Sequence, residues 1–132
     1  MQYIGNLDKH KLDKYKNKMI TDEVILTKER LEEHILIMHK DDYSQLAGYL
    51  KHIIEDPDII LDDNRYENTI IVLKRISKIK SYARVVIKIA VSEDIKHTKN
   101  SIITLMKLND RTWKQTLKNR GDVIFKDVDN YE

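Results

Sequence analysis

Apolar residues recur along this chain with two different periods, and the change from one to the other falls at Pro57. Upstream the spacing is helical. Leu31, Ile35 and Met38 stand at i, i+4 and i+7, and Tyr43, Leu46, Ala47, Leu50, Ile53 and Ile54 recur at the same period. Thr27 is placed to cap the first helix, with Glu29 near its positive end. Asp41 or Asp42 suits the start of the second. Asp56 ends it, because a residue before proline is pushed out of helical geometry. Downstream the period is that of strands. Residues 59–61 and 69–76 are apolar and β-branched, and residues 83–91 alternate. Ala83, Val85, Ile87, Ile89 and Val91 face one way, and Arg84, Val86, Lys88 and Ala90 the other. In residues 101–108, simple alternation puts Ile102, Thr104, Met106 and Leu108 on one face.

Shorter elements flank these. Tyr3 and Ile4 suggest a short strand, Glu23–Leu26 suits another, and residues 110–118 read as a helix around Trp113. Gly121 breaks that helix, and Val123, Ile124 and Phe125 suit a last strand. Short gaps between successive strands favour antiparallel pairing. Helices first and sheet second is an α+β pattern.

Composition narrows the options. A chain of 132 residues with 41% hydrophobic content is expected to form one domain with its own core. The lysine-dense residues 1–20 are the exception, read as a peripheral basic segment. They could touch phosphates without reading sequence, or simply be a solvated face. No apolar run reaches the ~20 residues of a membrane span, and the N-terminal residues have no secretory pattern. The absence of cysteine excludes disulfides and thiolate metal sites and fits a cytoplasmic setting. Net charge is only +2, so any phosphate binding must come from local clustering.

Candidate chemistry starts with His34 and His39, which fall on the two edges of the first helix's apolar stripe. Imidazole is suited to proton transfer near neutrality. Equally, either ring could be a partly buried structural histidine. Their i, i+5 spacing does not match the His-Glu-x-x-His pattern of a zinc helix, and no metal or other cofactor is expected. Three cations interrupt the strands: Lys74 on the face of Ile70, Val72 and Ile76, and Arg84 and Lys88 on the face of Val86. They could line a phosphate cleft or mark a solvent face or sheet edge. Ser101 and Thr104 could hydrogen-bond a phosphate, but their opposite parity lets only one face a given cleft. Trp113, Tyr82 and Tyr66 could stack bases, though a tryptophan beside Leu117 also suits a core. A Gly-rich phosphate loop, a Gly-x-Ser-x-Gly elbow and a cysteine nucleophile are all missing from the sequence.

The run from Leu26 through Glu29, Arg30 and His34 to His39, followed by Ile53, Asp56, Pro57, Asp58 and Ile60, and later by residues 101–104, resembles a known family. It is similar to the phage-associated nuclease domains grouped with barnase, EndoU, colicin and RelE-type ribonucleases, over about residues 23–125. The resemblance implies two N-terminal helices packed on a four- to five-stranded antiparallel sheet, with a short C-terminal helix. It implies metal-independent endoribonuclease action on RNA, with tRNA one candidate target, and admits a protein inhibitor as a second partner. It also implies a phage or mobile-element setting, cytoplasmic or attached to the virion. His34 and His39 match the family's helix histidines, Lys74 a strand cation, and Ser101 or Thr104 the strand hydroxyl. Arg84 and Lys88 join them by strand parity as phosphate-binding residues. The rival expectation is an interaction or nucleic-acid-binding module that keeps the scaffold without the chemistry.

Overall fold

The computed structural model describes residues 2–119 and 121–127. These form seven strands in one mixed sheet and three main helical segments, besides short 3-10 turns at Lys9–Lys11 and Ser77–Ile79. The strands are β1 (Gln2–Asn6), β2 (Glu23–Leu26), β3 (Ile59–Asp62), β4 (Thr69–Ile76), β5 (Ser81–Lys88), β6 (Asn100–Leu108) and β7 (Val123–Lys126). The helical segments are α1 (residues 28–38), α2 (residues 40–55) and α3 (Asp110–Asn119). In space the strands run β1-β2-β6-β5-β4-β3-β7. All neighbours are antiparallel except β2 and β6, which are parallel. The fold is α+β, but larger than the four- to five-stranded antiparallel sheet expected. The pairing of distant segments enlarges it: β2 on β6 joins the N-terminal hairpin to the sheet, and β7 on β3 adds the far edge.

The β2–β6 junction rests on one side chain. Asn100 is fully buried. Its Nδ2 donates to the carbonyls of Thr21 and Glu23, each at 2.9 Å, and its Oδ1 accepts from the Ala90 N–H at 2.8 Å. Register pairing extends only over Val24–Asn100 and Ile25–Ser101. Beyond that, Thr27 turns the chain into α1, its Oγ1 accepting from Arg30 N at 3.1 Å as a helix cap. From Ile103 onward the outer edge of β6 therefore runs beside helices instead of a strand, a common way to cover an edge. Asp42 completes this by accepting the Lys107 N–H at 3.1 Å; neither it nor Asp41 caps α2, which begins at a break at His39.

The sheet buries apolar side chains on both faces. On the first, Ile70, Val72, Val85, Ile87 and Leu105 pack against Ile35 of α1 and Leu46, Leu50, Ile53 and Ile54 of α2. Leu12, Tyr15 and Met19 join the same cluster, so residues 2–20 are part of the core and not a peripheral segment. Their lysines are largely occupied: Lys11 pairs with Asp56, Lys14 with Asp62 and Lys16 with Asp13. On the second face, Ile59, Leu61, Ile71, Leu73, Val86 and Leu108 pack with Trp113 and Leu117 of α3. Trp113 stacks on Tyr82 at 4.3 Å and is thereby a core residue. Met38, expected in the buried stripe of α1, is 64% exposed. The helix widens into a π-helical turn over Leu31–Ile35, with Leu36 N–H donating to Leu31 O, and the extra residue rotates everything after it. Gly121 follows α3 with φ +148°, and a Cβ there would lie 1.8 Å from the Asp62 carbonyl oxygen, so only glycine fits.

Removing the Asn100 amide strands the Ala90 N–H and two carbonyls. Asn100→Ala should cost about 3 kcal/mol, read as a lower urea midpoint. Tyr15 supplies a pH signature. Burial, and then its 2.5 Å hydrogen bond to Asp62 Oδ1, raise its phenol above the usual value near 10. The folded chain keeps that proton where the unfolded chain releases it. Its stabilising effect is therefore complete below about pH 10 and is lost as pH rises beyond. Urea unfolding across this range should show the parent weakening more steeply than Tyr15→Phe.

Candidate active site

A cleft of about 400 Å³ opens on the second face of the sheet, between α1, the middle strands and the β3–β4 connection. His34 reaches it from α1. Its neighbour Ile35 is fully buried against the first face, so α1 straddles the edge of β6 and sends adjacent side chains to opposite sides. His34 Nε2 lies 3.3 Å from Thr104 Oγ1, and both residues are half-buried. A hydroxyl can donate to or accept from an imidazole nitrogen, so this contact fixes the ring in either tautomer. Arg84 and Lys88 line the same cleft from β5, with Val86 between them. The Arg84 Nη1 lies 3.2 Å from Met106 Sδ, and the Lys88 Nζ donates to the Glu67 carbonyl at 2.9 Å.

His39 takes a different position. Its ring meets His34 edge-on, with centroids 6.2 Å apart, but it is not part of the cleft wall. In a regular helix, residues five apart diverge by about 140°. The i→i+5 bond of the π-helical turn and the break at His39, where φ is −140°, draw the two rings together.

Thr104 and Ser101 share a face despite their opposite parity. Register in β6 shifts between the partners of Val86 and Ile87, so Thr104 pairs with Val86 and Ser101 with Lys88. The bulge brings Ile103 into the cleft wall and sends Ile102 to the opposite core, against the simple alternation expected of this strand. Ser101 stays at the Lys88 end and does not line the cleft.

Lys74 does not join the other cations. It pairs across the sheet with Ala83, on the helix-covered face, and is 7% exposed. Its Nζ donates to the Asp56 carbonyl at 2.6 Å and lies 3.5 Å from carboxylate oxygens of Asp56 and Asp58. A larger cavity of about 530 Å³ opens there, beside Tyr49, His52 and Ser77. Its buried lysine is already matched by two carboxylates, and no imidazole–hydroxyl contact is found beside it among the described residues. The smaller cleft, with its imidazole and hydroxyl in contact, is the better candidate.

The structure adds residues that sequence reasoning did not assign. Arg30, one turn before His34, lines the cleft, and Asp63 and Arg65 close it from the β3–β4 connection, beside the Tyr66 already suited to stacking by sequence, with Thr69 also in the wall. The i, i+4 spacing of Arg30 and His34 was a usable signal; the connection carries no periodicity that could have revealed its role. Among the described residues, no group of three or more His, Asp or Glu side chains could hold a metal ion. No helix among them is long and apolar enough to cross a membrane.

The class so defined is an α+β domain in which an imidazole, a hydroxyl and a set of cations line one cleft. The chain belongs to the family described as phage-Barnase-EndoU-ColicinE5/D-RelE like nuclease2, whose model matches residues 3–126. The match agrees with the motif resemblance and extends it to the N-terminal hairpin. No curated protein and no solved structure matches the chain.

The placement of Lys74 has a measurable consequence. Removing one partner of a buried pair strands the other, so Lys74→Met should lower stability by roughly 3–5 kcal/mol in urea unfolding. An unchanged midpoint would show that the lysine is not structural.

Proposed function

We propose that this domain is an endoribonuclease that cleaves RNA by attack of a 2′-hydroxyl on the adjacent phosphate, without a metal. The observation that carries the reading is the contact of His34 with Thr104 in a cleft also lined by Arg84 and Lys88. His34 takes the proton of the 2′-hydroxyl as the new P–O2′ bond forms. The P–O5′ bond breaks, and the imidazolium returns a proton to the departing 5′-oxygen. The products are a 2′,3′-cyclic phosphate and a 5′-hydroxyl. Arg84 and Lys88 offset the charge that accumulates on the phosphorane, the kind of contribution that fixed cations make in a partly dry site. Thr104 holds the imidazole against the strand. His39 is a positioning residue for His34, since its ring contacts that side chain and not the cleft. Ser101 lies at the exit beside Lys88. The substrate is cellular RNA, with tRNA one candidate class, and the family's description fits a phage or mobile-element setting.

The test is cleavage of total RNA in EDTA by the purified protein. The parent should yield fragments ending in 2′,3′-cyclic phosphate. His34→Ala should reduce the rate by roughly 10²–10⁴-fold, the range of a lost acid–base group. Arg84→Leu should cost about 10²-fold. RNA left intact by the parent would remove this reading in favour of a scaffold that binds without cutting.

A further inference from the structure

The cleft has one wall with no part in the proton transfer. Residues 63–68 connect β3 to β4 and carry Arg65 and Tyr66 at its mouth. Tyr66 is 63% exposed, so its ring is open to solvent where it lines the cleft. The backbone beneath it is held at many points. Asp63 Oδ1 accepts the Arg65 N–H at 2.8 Å, and the Asp63 N–H donates to Thr69 O at 2.9 Å. Thr69 Oγ1 and Lys88 Nζ both donate to the Glu67 carbonyl, at 3.0 and 2.9 Å. The Ile89 N–H donates to Asn68 O at 2.8 Å, and Lys18 Nζ to Asn68 Oδ1 at 3.2 Å. Asn68 takes φ +53°, a conformation that asparagine adopts more readily than most residues. A loop fixed at its base by Lys18, Thr69, Lys88 and Ile89 presents an aromatic ring to solvent, at the edge of a basic cleft.

We infer that residues 63–68 form a preformed shelf for a nucleobase, and that the cleft therefore takes unpaired RNA in preference to a duplex. The inference rests on the reading of the cleft as an RNA site and adds what that site selects. Tyr66 supplies the stacking face. Arg30 and Arg65 line the same cleft and supply charge for the flanking phosphates. A ring at the mouth of a cleft of about 400 Å³ can stack only on a base that has left its own stack. The paired bases of an A-form helix offer no free face to it. Ordering of the shelf before binding also lowers the entropic cost of capturing a flexible strand. Of the three aromatic residues suited to stacking by sequence, Trp113 and Tyr82 are used up on one another, which leaves Tyr66 for the substrate.

The test uses a fluorescent single strand, fully 2′-O-methylated so that it has no nucleophile, and the same strand annealed to its complement. Anisotropy is measured with the full chain. The parent should bind the single strand at least several-fold more tightly than the duplex. Tyr66→Leu should weaken single-strand binding about ten-fold, and Tyr66→Phe should restore it to within about two-fold. Neither should alter the weak duplex affinity. If Tyr66→Leu binds as the parent does, or if the duplex binds equally well, the shelf is overturned while RNA cleavage by the parent still stands. If the parent neither binds the strand nor cuts RNA, both readings fall. Strand binding that depends on Tyr66, in a parent that leaves RNA uncut, supports the shelf and removes the cleavage.

Discussion

Asn100 has no exposed surface, and both its amide N–H groups and its amide oxygen are engaged by backbone groups of Thr21, Glu23 and Ala90. That arrangement fixes where β2 stops on β6. A buried amide that lost one of these partners would be left unsatisfied at a cost comparable to a large share of the stability of a small domain. A parallel pair of two residues is too short to hold itself; the side chain supplies what the ladder lacks. Everything that follows in the chain is placed by it. Thr27 caps α1 directly after β2, so α1 runs along β6, and His34 arrives beside Thr104.

The edge position of α1 is what gives the domain two unlike faces. Ile35 enters the core under α2, while His34 overhangs the opposite face. A helix lying flat on a sheet could not do this, because one stripe would face the sheet and the rest solvent. The π-helical turn adds to the effect: it rotates Met38 and Ile37 out and brings His39 back against His34. The chain gives up a continuous apolar stripe and gains a supported imidazole, a trade often found where π-helical turns occur.

Charge is divided in the same way. Most of the basic side chains of the N-terminal region meet carboxylates, and Lys74 is matched by Asp56 and Asp58. The cleft gathers Arg30, Arg65, Arg84 and Lys88, and among the described residues Asp63 is the one carboxylate in its wall. A near-neutral molecule thus carries a locally basic site. The local concentration matters more than the total, since exposed charges farther apart than about 10 Å are largely screened in salt.

Much of this was legible in the sequence. The Thr27 cap, the end of α2 before Pro57 and the opposite facing of Arg84 and Ala83 all follow from local rules, because capping, proline sterics and strand pleating act over a few residues. The candidate pair His34 and Thr104 was also available, as residue types in suitable elements. Only the tertiary structure decided that these two meet, that Lys74 belongs to the other face, and that a bulge lets Ser101 and Thr104 share one. It alone brought Tyr66 to the cleft. Strand order, register and bulges are set by which distant backbone groups pair, and that choice depends on packing the whole sheet at once. No window of sequence contains it.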